Sequence, residues 1–100
     1  MGYIYKITNL VNNKIYIGKT VVSEPRRWQA HVWYAHNDIK KDCPYLCNAI
    51  NKYGKENFKR EIIEEIDDKN LFEREIYWIN YYASNNHEIG YNLDNGGIGH

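Results

Sequence analysis

Tyr3-Ile4-Tyr5-Lys6-Ile7-Thr8-Asn9 and Lys14-Ile15-Tyr16-Ile17-Gly18-Lys19-Thr20 flank Leu10-Val11-Asn12-Asn13, and this stretch decides the fold. Both flanks are rich in β-branched and aromatic residues and read as strands. Asparagine tolerates the positive φ of a tight turn, so Asn12-Asn13 reads as a two-residue hairpin loop. That loop sets Val11 opposite Lys14, Tyr16 opposite Asn9, Gly18 opposite Ile7 and Thr20 opposite Tyr5. Opposed residues share a face and alternate residues return to it, so Tyr5 and Tyr16 fall on one face with Gly18 between them.

Outward from the hairpin, Ser23 is an N-cap candidate and Pro25 suits a first helical turn, so a helix is expected over about Glu24–Asn37. Trp28, Val32, Ala35 and Ile39 form its apolar stripe, with Arg27, His31 and Tyr34 on an adjacent face. A second helix, capped by Asp42 or Cys43, is expected over about Pro44–Tyr53 and is closed by Gly54. Residues 57–66 read as a third strand with Phe58, Ile62 and Ile66 on one face. Asp67 or Asp68 then caps a third helix reaching about Tyr82. From Ser84 onward the chain reads as loop, and its Gly-rich end reads as a tether. The element order is β-β-α-α-β-α, an α+β domain over residues 1–93 with 94–100 as a tail or the start of a linker.

The third helix carries an anomaly. At about 100° per residue, Leu71, Phe72, Trp78, Ile79 and Tyr82 all lie within about 60° of Glu75. Glu73 and Arg74 point away as surface charges. A carboxylate on a core-facing stripe costs several kcal/mol unless it is paired or holds a metal. Two readings follow: a buried salt bridge, with Arg27 as a partner, or a metal ligand or base in a cleft.

The 100-residue chain has 43% apolar residues and zero formal net charge. That size makes one domain with a modest core. Neutrality argues against a module that coats nucleic acid but permits an enzyme touching a few phosphates. Lys19, Arg26, Lys40, Lys41, Lys52, Lys55, Lys59 and Arg60 are candidates for such contacts. No apolar run approaches a membrane span and the start shows no signal peptide, so a cytoplasmic setting is expected. Cys43 and Cys47 read as reduced thiols packed in the second helix. A zinc module using them with His31 or His36 lacks four ligands at a standard spacing.

Five elements recur in order: Tyr3-Ile4-Tyr5, Tyr16-Ile17-Gly18, Arg27-Trp28-x-x-His31, Glu75 and Gly90-Tyr91-Asn92. In this the chain resembles the GIY-YIG nucleases, and most of all the catalytic domains of phage and intron homing endonucleases, over about residues 2–93. Tyr3 departs from the pattern, standing where the first motif has glycine, with Gly2 just before it. The resemblance implies a three-stranded antiparallel sheet flanked by helices. It also implies hydrolysis of DNA phosphodiesters with one divalent ion, usually Mg²⁺ or Mn²⁺, in a bacterial or phage-infected cell. By position, Tyr5, Tyr16, Arg27, His31, Glu75 and Asn92 match the family's site residues, with Glu75 as metal ligand. The chemistry suits the types: Glu75 offers hard oxygen, and Arg27 can neutralise phosphate charge. Tyr5 would activate the attacking water, with His31 as proton acceptor, Tyr16 bonding the phosphate or water, and Asn92 positioning. So neutral a domain is expected to rely on an attached C-terminal DNA-binding region or a homodimer partner. The rival readings are an idle nucleic-acid- or protein-binding domain on the same fold, or a restriction- or repair-type enzyme. An idle descendant would be expected to lose Glu75 or Arg27, and both are present.

Overall fold

The computed structural model describes residues 1–37 and 44–93. Strands β1 (Gly2–Asn9), β2 (Ile15–Thr20) and β3 (Phe58–Ile66) form one antiparallel sheet in the order β2-β1-β3. Helices α1 (Glu24–His36) and α2 (Pro44–Tyr53) cover one face and α3 (Leu71–Tyr82) the other. The expected α+β order is the observed one. Ile39, the cap candidates Asp42 and Cys43, Lys40, Lys41 and the 94–100 tail lie outside the described residues.

The hairpin register differs from the expected one by two residues. Tyr5 faces Gly18, Ile7 faces Tyr16 and Tyr3 faces Thr20. The loop has four residues, Leu10–Asn13, because Asn9 closes it: its N–H donates to the Lys14 carbonyl at 2.8 Å, and its own carbonyl accepts from Asn13 N–H at 2.7 Å. Asn13 takes the positive φ, at 65°. A slip of two preserves side-chain faces, so Tyr5 and Tyr16 still share one.

Alternation splits the core in two. Tyr5, Ile7 and Tyr16 pack with Ala35, Leu46, Cys47, Ile50 and Phe58 under α1 and α2. Ile4 and Ile17 pack with Leu71 and Ile79 under α3. Leu71 lies so close to Gly2 that a Cβ there would meet it at 2.2 Å. The close approach is thus made at Gly2, and Tyr3 beside it is accommodated.

In α1 the buried positions are Glu24, His31 and Ala35. Val32, expected on the stripe, is only half-buried, and His31 takes the central place. Trp28 is half-buried because the Arg60 guanidinium of β3 covers its ring at 5.5 Å while pairing with Glu24 at 3.4 Å. Ser23 occupies the N-cap without a side-chain capping bond.

Phe58 and Ile66 do not share a face. The ladder jumps from Tyr5↔Ile62 to Ile4↔Glu64, a bulge that inserts Ile63. The extra residue reverses the alternation, sending Phe58 to the α1–α2 core and Ile63 and Ile66 to the α3 core, while Ile62 is exposed. Arg74 is no free surface charge either: it donates to Glu64 at 2.7 Å, as does the Trp78 indole at 3.0 Å.

Residues 84–92, expected as loop leading into a tether, are docked on the outer edge of β2. Ile15 N–H donates to the Ile89 carbonyl at 3.1 Å and the Ile15 carbonyl accepts from Tyr91 N–H at 2.8 Å. The Asn92 amide continues the pairing: Oδ1 accepts from Ile17 N–H and Nδ2 donates to the Ile17 carbonyl, each at 2.9 Å. Ser84, fully buried, donates to the same Oδ1 at 2.7 Å. Each such bond is worth about 1 kcal/mol net, more when a buried partner is orphaned. Asn92→Ala is therefore expected to lose about 2–3 kcal/mol in urea unfolding; a loss below about 0.5 kcal/mol would mean that water replaces the clamp at no cost.

Candidate active site

The shared face of the hairpin brings three of the expected residues together. The Tyr5 hydroxyl lies 2.8 Å from His31 Nε2. The Tyr16 ring stands 6.4 Å from Tyr5 and 5.6 Å from His31, edge-on to the imidazole. Gly18 makes this possible: a Cβ there would sit 2.3 Å from both Cζ and the hydroxyl of Tyr5. The phenol end lies flat over β2 where any larger residue would stand.

His31 is fully buried. Burial, and secondarily the positive charge of Arg27, push its pKa from 6.5 down to about 3. Both causes disfavour the imidazolium. At neutral pH His31 is an uncharged ring, and with Nε2 unprotonated it accepts the Tyr5 hydrogen bond.

Arg27 lies one helical turn before His31 and reaches the end of β2. There it lines an open cleft of about 500 Å³ with Lys19, Thr20, Val22, Leu71 and Phe72. The two helical layers thus meet around the end of β2. Glu75 is buried on the α3 side, and its Oε1 lies 2.8 Å from Lys19 Nζ. The Lys19 ammonium also stands 5.4 Å over the Phe72 ring. The wheel is right for Leu71, Glu75 and Ile79, which are buried, and wrong for Phe72, which is exposed.

Six expected residues therefore fall into three settings. Tyr5, Tyr16 and His31 form one cluster on the α1 side of the sheet. Glu75 joins Lys19 on the α3 side, and Arg27 extends from the first toward the cleft beside the second. Asn92 turns its amide to the backbone of Ile17, between Tyr16 and Gly18, and so fixes the strand that carries them. Lys19 as the partner of Glu75 escaped the sequence reading, which grouped it with phosphate contacts. Its alternation with Ile15 and Ile17 was the available signal, since that face meets α3. Arg60 was grouped likewise and instead holds Glu24.

Two outcomes follow from this packing. Gly18→Ala forces the Tyr5 ring away, at an expected cost of about 1–3 kcal/mol, and should shift the His31 ring-nitrogen resonances by breaking its bond to Tyr5; unchanged resonances would show that the ring relaxes in place. Because the folded-state pKa of His31 is depressed, the unfolded chain binds the extra proton between about pH 3 and 6.5. Stability is complete above that window and falls as pH drops through it, by up to about 1.4 kcal/mol per unit. Urea unfolding at several pH values between 5 and 6.5 should show this slope in the parent and not in His31→Gln; equal slopes would place the titration elsewhere.

Comparison with known proteins adds the family. A family model for the GIY-YIG catalytic domain matches residues 1–89. Intron-associated endonuclease 1 of Enterobacteria phage T4 is 38% identical over 95 residues, covering 90% of this chain and 36% of that protein. The solved catalytic domain of homing endonuclease I-TevI superimposes with a TM-score of 0.77 at 30% identity, over 94% of this chain and 99% of that one. A mutant form of the same catalytic domain gives 0.82 at 30% identity, over 99% and 100%. The chain spans between 36% and 42% of the length of three T4 proteins it matches. With the hairpin, the helix-borne arginine and histidine, the buried glutamate and the matched fold in agreement, the chain belongs to the GIY-YIG nuclease family and carries its catalytic domain.

Proposed function

We propose that this domain, over residues 1–93, hydrolyses DNA phosphodiester bonds with one Mg²⁺ or Mn²⁺ ion, as the cutting part of a homing-type endonuclease. The observation that carries this reading is the arrangement about the end of β2, where Arg27 and Lys19 line one cleft and Glu75 meets the Lys19 ammonium at 2.8 Å.

Among the described residues, no three histidine, cysteine or acidic side chains converge as a metal cage. A single carboxylate fits an ion that keeps several waters and takes a substrate phosphate oxygen, as Mg²⁺ does. Glu75 would hold it. When bound, the ion would polarise the phosphate and acidify a water.

The protein's own groups supply the rest. Lys19 balances the buried Glu75 carboxylate and can swing outward on its flexible stem when another cation takes that oxygen. Arg27 presents a fixed fork of donors to the non-bridging phosphate oxygens. The Tyr5–His31 pair receives the proton of the attacking water: it passes to the Tyr5 oxygen as the Tyr5 proton passes to His31 Nε2. His31 is a weak base in the free domain. A phosphate placed on Arg27 offsets the charge that helps to depress it, though not the burial that is the larger cause. Tyr16, slightly more exposed than Tyr5, would hydrogen-bond the phosphate or the water. Targeting is assigned to an attached DNA-binding region or to a second copy, because a neutral domain has little general affinity for DNA.

The test is plasmid relaxation. With Mg²⁺ the parent should nick supercoiled DNA, EDTA should stop it, and Glu75→Gln should cut at least about a hundredfold more slowly. Cutting by Glu75→Gln at the parental rate would refute this mechanism.

A further inference from the structure

A second recess lies at the hairpin end of the sheet, away from the Arg27–Lys19 cleft. It measures about 280 Å³ and is walled by the β-hairpin loop, α2 and the segment before Asn92. Lys14 and Lys52 line it, together with the rings of Tyr45, Tyr53, His87 and Tyr91. None of its described lining residues carries a carboxylate. Glu88 follows His87 in the chain but is exposed and is not part of the wall.

The wall chemistry narrows the ligand. Two ammonium groups with no acid among the described residues of the wall favour an anion. Tyr45 is 37% exposed, and its ring meets the His87 imidazole edge-on at 4.6 Å, leaving ring faces for a planar group. The Tyr91 hydroxyl already accepts from Asn9 Nδ2 at 3.0 Å and from Asn12 Nδ2 at 3.2 Å, so its own proton is the one left to donate. An anion that is also flat and takes hydrogen bonds is a nucleotide. The volume falls just below the usual span of ligand sites, roughly 300 to 1,000 Å³. It suits one unstacked nucleotide and excludes a base-paired duplex.

Position ties the recess to the catalytic face. Lys14 immediately precedes β2, four residues or about 13 Å along the extended chain from Gly18. Ala49 and Tyr91, which line the recess, belong to the same core as Tyr5 and Tyr16.

We propose that this recess binds one unpaired nucleotide of a DNA strand, its base against Tyr45 and His87 and its phosphate on Lys14 and Lys52. The inference rests on the DNA-cutting reading above and adds to it a grip on single-stranded or locally opened DNA. It also gives a globally neutral domain a local electrostatic hold that does not engage the catalytic cations.

The test uses the full chain in EDTA, where no metal-dependent cutting occurs, and fluorescence anisotropy of a fluorescein-labelled oligothymidylate of about ten nucleotides. The strand should bind more tightly than a duplex of the same length. Tyr45→Ala and Lys52→Glu alter exposed positions of α2 and should each weaken strand binding roughly tenfold with an unchanged melting temperature. Lys52→Met should lower the salt dependence of strand binding by about 0.7 in log–log slope. Parental affinity in all three variants would overturn the proposal, as would thymidine monophosphate competing as well as the strand. Plasmid nicking by the parent with Mg²⁺ separates the two readings. If it nicks and the variants bind the strand normally, only the recess assignment falls. If it fails to nick while the variants lose strand binding, the recess stands and the nuclease reading falls.

Discussion

The Tyr5 phenol occupies the volume that a Cβ of Gly18 would fill, and most of the catalytic face follows from that exclusion. With the ring flat on β2, its hydroxyl points to α1 and meets His31. His31 in turn sets the rotation of α1, taking the central buried position in place of the more apolar Val32. One turn back along that rotation Arg27 reaches the cleft at the end of β2. A van der Waals contact at one glycine thus orients a helix and, through it, a guanidinium more than a turn of chain away. The cost is a histidine held uncharged in the interior, which couples the stability of the domain to pH.

The sequence was legible where a residue contradicts its surroundings. Glu75 stands out on an apolar stripe, and it is buried and ion-paired in the fold. The hairpin strands, α2 and the end of α3 at Tyr82 are legible because period and boundary residues agree. In contrast, α3 begins only at Leu71 with Asn70 as its N-cap, because Asp67 and Asp68 open a separate 3-10 turn over Asp68–Asn70. Errors arose where a long-range contact outweighs a local rule. The loop holds four residues because Asn9 hydrogen-bonds within it, and the two asparagines of the expected turn are only its last half. Phe72 lies in the right sector of the wheel but faces the open cleft. The Ile63 bulge leaves no mark in the alternation of β3 that is visible before pairing with β1 is known. Lys19 was legible in principle, since strand alternation puts it on the face of Ile15 and Ile17. Its salt bridge needed α3 to be in place.

Charge is neutral in sum and uneven in space. Two candidate phosphate contacts are engaged within the fold, Arg60 with Glu24 and Lys19 with Glu75, and Arg74 is likewise paired with Glu64. Such pairs fix elements relative to one another but contribute little attraction for DNA at a distance. The lysines at the hairpin-end recess have no acid beside them among the described residues of its wall. On the proposed reading, association with DNA would depend on a few local contacts and not on net charge.

The two outer strands of the sheet are finished differently. β2 is closed by residues 89–92, so its backbone at Ile15 and Ile17 has no groups left to offer. Among the described residues β3 pairs with β1 alone, and it carries the bulge at Ile63 and the charged residues Lys59, Arg60, Glu61, Glu64 and Glu65. An irregular, charged margin is a poor template for another chain's strand. A three-stranded sheet of this size could otherwise grow by recruiting copies of itself edge to edge. The same single-residue insertion that divides Phe58 from Ile66 therefore also works against edge-to-edge growth of the sheet.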